Sequence, residues 1–74
     1  MAKITIKEQA TQISDELGIQ YDAVVHMFEL IAFNIDNDTQ IVRDDLIKYS
    51  ERWNMDVGVA ANVLALCQLA AIDS

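Results

Sequence analysis

The apolar and polar positions of this 74-residue chain repeat with the spacing of helices rather than strands, and they predict four helices. The first is predicted from Ile6 to Leu17, where apolar residues at i, i+4, i+7 and i+11 form one stripe. Thr5 and Glu8 have the spacing of a capping box at its start, and Gly18 provides a left-handed stop at its end. The stripe consists of Ile6, Ala10, Ile13 and Leu17.

The second predicted helix runs from Asp22 to Asn34 and carries apolar residues around most of its circumference. A helix of this kind is usually central in a core, so we expect it to be largely enclosed. The run Asp36-Asn37-Asp38 should end it, because these side chains compete for backbone hydrogen bonds.

Two further helices complete the prediction. The third spans Arg43 to Trp53 and repeats the stripe of the first helix, with Asn54 and Asp56 marking a turn and the next cap. The fourth spans Val57 to Ile72, where 13 of 16 residues are apolar and many are alanine, which permits close approach of another helix. The third stripe consists of Val42, Leu46, Tyr49 and Trp53.

The predicted fold class is therefore all-α, a compact four-helix domain over residues 1–74 whose second and fourth helices form most of the core. Four helices in so short a chain cannot fully enclose two members that are apolar on nearly every side. Some apolar surface should remain, and exposed patches of that kind usually mark interfaces. We expect a symmetric homodimer formed through helix 57–72.

The charge distribution restricts the partners. The net charge is −7, and no Lys or Arg occurs from Glu8 through Val42, where seven acids do. Nucleic acids and anionic membranes are disfavoured because binding to them draws on cations, whereas a protein with a basic surface is favoured. The longest apolar-rich stretch, 57–72, is shorter than the ~20 residues that span a bilayer. The single cysteine, Cys67, fits a reducing compartment, so we expect a cytoplasmic location with no membrane contact.

The first half of the chain resembles the helix-turn-helix of transcription regulators, in which a short helix precedes Leu-Gly-Ile, a polar residue and a later apolar residue. The resemblance implies a helix-turn-helix-like first half of the fold and a second helix that reads bases in the major groove. That second helix contains no Lys or Arg to contact phosphate, which argues against DNA binding, so a DNA-binding regulator is kept as an alternative function only. The matching residues are Leu17, Gly18, Ile19, Gln20 and Val24.

Residues 34–45 resemble a calcium loop of the EF-hand or dockerin kind, between two predicted helices. The resemblance implies oxygen ligands at loop positions 1, 3, 5 and 12 and a backbone carbonyl at position 7. Thr39 stands where the loop normally needs Gly, and the last ligand is Asp rather than Glu. A degenerate calcium-binding module is thus a second alternative, and no other cofactor is expected. The metal-site candidates are Asn34, Asp36, Asp38, Gln40 and Asp45.

The sequence offers no catalytic constellation, so we expect a protein that is not an enzyme. His26 is the only histidine, and its place on an apolar helix favours a partly buried, hydrogen-bonded role over that of a base. Cys67 lies in an apolar run without a neighbouring charge, which favours a buried, unreactive thiol.

The leading hypothesis is a non-enzymatic regulator or inhibitor that binds a protein partner. Its small size, acidity and helical content are typical of phage-encoded modifiers of host machinery, by analogy of size and charge. The acids that close the first helix and open the second should lie close together, with Tyr21 among them as an anchor. The candidate partner-binding residues are Asp15, Glu16, Tyr21, Asp22 and Glu29.

Overall fold

A computed structural model describes the backbone of residues 6–73 and the side chains of residues 7–72. It contains four α-helices, α1 (Ile6–Leu17), α2 (Tyr21–Asp36), α3 (Arg43–Arg52) and α4 (Val57–Asp73), and the described residues form no strand. The predicted all-α four-helix fold is confirmed, and each predicted boundary lies within two residues of the observed one. The predicted capping box at Thr5 lies outside the described residues.

Three of the helices end in the same backbone motif. Gly18, Asp38 and Asn54 have positive φ angles of 67°, 54° and 53°. In each case the next residue donates its N–H to a carbonyl five residues earlier, over 2.8–3.1 Å. This is the Schellman arrangement, which satisfies carbonyls left without partners at a helix end. The sequence predicted the Gly18 stop, whereas at α2 and α3 the left-handed position is held by Asp and Asn, which tolerate that conformation best among residues with side chains.

The helices pack with α1 and α4 in opposite directions. The Gln9 side chain, near the start of α1, donates to the Ala70 carbonyl near the end of α4 at 3.3 Å. At the other end of α1, Leu17 lines a depression together with Val59 of α4. The axis bends by 109° between α3 and α4, and no single helix among residues 6–73 is long and apolar enough to cross a membrane.

The core draws on all four helices. Its largest completely buried side chains are Val24 and Met27 from α2, Tyr49 from α3, and Val63 and Cys67 from α4. Burial raises the pKa of the Cys67 thiol from 9.0 to about 12, so the thiol stays protonated at neutral pH. The prediction of a buried, unreactive cysteine is consistent with this environment.

The molecule is too thin to enclose α2 and α4. Its Cα atoms extend over 38 × 30 × 15 Å, and the shortest dimension leaves room for about two layers of helices at 8–10 Å spacing. Some apolar side chains are therefore exposed to solvent, as predicted, and several of them lie on α2 and α4. The expectation that α2 would be largely enclosed was wrong at Phe33 and Ile35, which are both well exposed.

Candidate protein-binding surface

The five predicted partner-binding residues all lie on the surface. Asp15 and Glu16 are exposed in the last turn of α1, and Asp22 is exposed in the first turn of α2. Tyr21, at the first position of α2, is 38% exposed. Only residues 18–20 separate the two helices, so the acids of the two helix ends are carried on either side of one short turn.

The helix α2 has one buried side and one solvent side. Its buried residues, which include Val24, Met27 and Ile31, recur every three or four positions and face the core. At about 100° per residue, Asp22, Glu29 and Phe33 fall together on the opposite side. The exposed residues Asp22, Glu29, Phe33 and Asp36 are called the α2 face below.

Phe33 is the residue of this face that the sequence analysis missed. It is 63% exposed, although a phenylalanine in an apolar helix was expected to belong to the core. Glu29 lies one turn before it on the same side, so an aromatic ring stands next to a carboxylate in solvent. The available signal was its position four residues after Glu29 and eleven after Asp22, which places all three on one side of a helix.

The α2 face has no cation of its own. The chain contains no Lys or Arg between Lys7 and Arg43, so α2 itself supplies no cation to neutralise its acids. Lys48 and Arg52 of α3 line a small depression beside α2 together with His26 and Leu30. The basic side chains thus border the α2 face on its α3 side without lying within it.

An aromatic cluster holds α2 against α3. The Trp53 Nε1–H donates to His26 Nδ1 at 2.9 Å, and the Tyr49 hydroxyl donates to the Ala23 carbonyl. The three ring centroids lie 5.5–6.5 Å apart, within the range of favourable aromatic contacts. The Arg52 guanidinium lies 5.5 Å from the centroid of the Trp53 ring as a cation–π contact. These side chains tie α2 to the end of α3.

This cluster also defines the role of His26. Because the indole N–H is only a donor, His26 Nδ1 must be the unprotonated acceptor, so the imidazole serves a structural hydrogen bond. Burial, with a smaller electrostatic contribution from Cys67 once its thiol is deprotonated at high pH, raises the pKa of the Tyr49 hydroxyl far above its ordinary value. The hydroxyl therefore remains a proton donor to α2 throughout the neutral range.

The predicted calcium residues are arranged differently from a metal loop. Asn34 and Asp36 belong to α2, so the helix continues through the first positions of the resembling loop. The Asn34 amide donates to the Leu30 carbonyl at 2.7 Å, and its oxygen accepts from the Thr39 hydroxyl at 2.7 Å. The left-handed position is Asp38 rather than Thr39, where an EF-hand has its glycine.

The remaining predicted ligands lie in the loop and at the start of α3. Asp38 and Gln40 are exposed, and the Asp45 carboxylate accepts the backbone N–H of Val42 at 3.1 Å, which caps α3. Among the described side chains, no group of three His, Cys, Asp or Glu is placed to hold a metal ion. Some of the oxygens that the resemblance assigned to calcium instead accept hydrogen bonds at the end of α2 and the start of α3.

The turn that resembles a helix-turn-helix contains the expected helix, left-handed glycine and helix. Gly18 has a φ of 67°, and Val24 is completely buried as the pattern requires. The helix in the recognition position is α2, and its solvent side carries Asp22, Glu29 and Asp36. Carboxylates at these positions repel phosphate.

Comparison with protein-family models, with curated proteins and with solved structures found no match to this chain.

Proposed function

We propose that the protein is a non-enzymatic regulator or inhibitor that binds a protein partner with a basic surface through the α2 face. The observation that carries the proposal is the exposure of Phe33, which stands in solvent on the same side of α2 as Glu29 and Asp22. An exposed aromatic ring is costly to leave in water and is enriched at the centre of protein interfaces.

The surrounding charges define the partner. Asp15, Glu16 and Tyr21 extend the acidic surface across the short turn from α1 to the start of α2. Carboxylates around an aromatic anchor attract a positive surface and accelerate its encounter, with a rate that falls as ionic strength rises. Binding would cover the basic surface of the partner and withdraw it from its other ligands, which is a means of inhibition that needs no catalysis.

The rigid mounting of α2 supports the same proposal. The contacts of Tyr49 and Trp53 with α2 fix the helix before any partner arrives. A preformed binding face loses less conformational freedom on association than a flexible one and so binds more tightly. A cytoplasmic location and a phage origin stay predictions from composition, size and charge.

The experiment is affinity capture from the source cell with two variants that lose the same charge. One is Asp22→Asn with Glu29→Gln on α2. The control is Asp44→Asn with Glu51→Gln on α3, which also removes one first-turn acid and one later acid, both exposed. We expect a protein that wild type and the α3 control recover and the α2 variant does not. Equal recovery with all three would contradict the proposal.

A further inference from the structure

The solvent side of α4 is unusual because it carries no charge. Among residues 57–72 there is no Asp, Glu, Lys, Arg or His, in a chain of which 23% is charged. The buried side of α4 includes Ala60, Val63 and Cys67, and the opposite side is open to solvent. The exposed residues, called the α4 face below, are Val57, Gly58, Ala61, Asn62, Ala65, Gln68, Leu69, Ala71 and Ile72.

After Val57, which is 37% exposed, the α4 face changes from small to large side chains along the helix. Gly58 and Ala61 stand near its start, whereas Leu69 is 58% and Ile72 is 78% exposed near its end. Ile72 also borders an open depression of about 440 Å³ that it shares with Ile35 of α2, which is 70% exposed. A helix with exposed large apolar side chains at one end and small side chains at the other is complementary in shape to a second copy that runs antiparallel to it.

We propose that the α4 face binds the same face of a second copy, with the two α4 helices antiparallel. The helix runs from Val57 to Asp73, so a two-fold axis through its midpoint lies at Ala65. This register sets Gly58 against Ile72 of the second copy near the centre of the contact, and Asn62 beside Leu69 on one flank. Each of these two large side chains then packs on a smaller one, while parallel helices would set Ile72 against Ile72.

The charge distribution favours a second copy over a foreign charged partner. The seven acids in residues 8–42 lie on α1, α2 and the loop after α2, outside α4. Because residues 57–72 contain no charged side chain, their antiparallel contact brings no like charges together, and the nearest acids are Asp56 and Asp73, which flank this stretch. A basic partner would find its complement on the α2 face instead. The α4 face offers it neither an ion pair nor a charged hydrogen-bond acceptor on a side chain.

The size of the face indicates a weak dimer. A helix of 17 residues is about 25 Å long and, at roughly 10 Å in diameter, presents a narrow strip to a neighbour. Even with Ile35 added at each end, this area stays near the lower limit of specific interfaces, roughly 1,200 Å² in total. We therefore expect dissociation in the range of tens to hundreds of micromolar rather than a permanent dimer.

The inference is independent of the proposed function because the two faces lie on different helices. The α2 face points away from the core side through which α2 packs on the rest of the molecule, so a dimer through α4 leaves it open. The dimer and the complex with a basic partner should respond to salt in opposite ways. Screening of the net charge should strengthen the dimer, whereas it should weaken binding of a basic partner.

The test is sedimentation equilibrium of the full chain up to about 1 mM, with matched lysine substitutions. Ala65→Lys places two like charges at the two-fold axis and should weaken the dimer at least tenfold. The control is Ala32→Lys, which makes the same change at an exposed alanine of α2. Circular dichroism of each variant checks that the helices are intact.

A second pair of variants tests the orientation. In the antiparallel register Ala61 and Gln68 of the second copy lie level on the same flank of the contact, so Ala61→Lys with Gln68→Glu in one chain creates two ion pairs. Ala61→Lys with Gln68→Lys creates two repulsive pairs. We expect the Lys/Glu chain to dimerise as tightly as wild type or up to about fivefold tighter, since exposed ion pairs contribute little. The Lys/Lys chain should dimerise at least tenfold more weakly.

Three results would overturn the inference. A chain that is monomeric throughout the concentration range has no such dimer. A dimer that Ala32→Lys dissociates and Ala65→Lys does not uses another surface. A Lys/Glu chain that dissociates as readily as the Lys/Lys chain does not pair its α4 helices in the antiparallel register.

Discussion

Cys67 makes the stability of the protein directly measurable, because it is the only thiol of the chain and is completely buried on α4. Its sulfur can be labelled only when the core opens. Domains have about 0.05–0.15 kcal/mol of stability per residue, which corresponds to about 4–11 kcal/mol for 74 residues. At the lower limit the open state is populated about one part in a thousand, since ~1.4 kcal/mol is a factor of ten.

The experiment adds an excess of a disulfide reagent such as DTNB at pH 8 and measures the rate at which Cys67 is labelled at increasing urea concentrations. We expect the reaction without urea to be at least about a thousandfold slower than that of the unfolded chain. The rate should rise with urea in parallel with the loss of helical circular dichroism, because opening of the core is global. Labelling without urea within tenfold of the unfolded rate would refute the buried position of Cys67.

The raised pKa of Cys67 adds a dependence on pH with a definite sign. Folding raises the pKa from 9.0 to about 12, so the folded state holds the proton more tightly than the unfolded state. Below pH 9 both states are protonated and the free energy of unfolding is at its full value. Between pH 9 and 12 only the unfolded thiol loses its proton, and stability should fall by up to about 1.4 kcal/mol per pH unit. Urea unfolding of wild type and Cys67→Ala across this range tests the prediction. The free energy of unfolding of the variant should fall less steeply with pH, and the dependence that remains is due to Tyr49.

Three further substitutions test the contacts that position α2. Tyr49→Phe removes the buried hydrogen bond to the Ala23 carbonyl and should lower the free energy of urea unfolding by about 1 kcal/mol, whereas no change would show that the bond contributes nothing. His26→Leu leaves the Trp53 N–H without its acceptor and should cost about 1 kcal/mol and shift the fluorescence of the single tryptophan. Unchanged emission would contradict that contact. Gly18→Ala should cost about 1 kcal/mol from backbone strain alone, because φ is 67° and no atom lies within 4 Å of the added methyl group. A loss above about 3 kcal/mol would indicate a steric clash that the structure does not contain.

The helices could be predicted from the sequence because each has a strong local signal. The stripe from Ala10 to Leu17 and the glycine after it specify α1 without reference to the rest of the chain. The end of α2 was less certain, since Asp36-Asn37-Asp38 indicated a break without its geometry. Asp38 takes the left-handed position that glycine takes at α1, and α2 continues two residues beyond Asn34.

The solvent sides of α2 and α4 could not be assigned with the same certainty. Where nearly every position of a helix is apolar, periodicity does not distinguish the buried side from the exposed one. The choice is made by packing in a thin molecule, which buries Phe28 and exposes Phe33 five residues later. The partnership of His26 and Trp53 was likewise beyond local reasoning, because 27 residues separate them and only the tertiary fold brings the two side chains together.

The central claim is that the α2 face binds a basic partner with Phe33 as its anchor. The most direct test, with the captured protein, is its association rate and affinity at low and physiological salt for wild type, Phe33→Ser and Glu29→Gln. Phe33→Ser should weaken the affinity at least tenfold through faster dissociation, with the salt dependence unchanged, since the anchor carries no charge. Glu29→Gln should slow association and reduce its dependence on salt. A partner that binds both variants as wild type does, with the same response to salt, would contradict the claim.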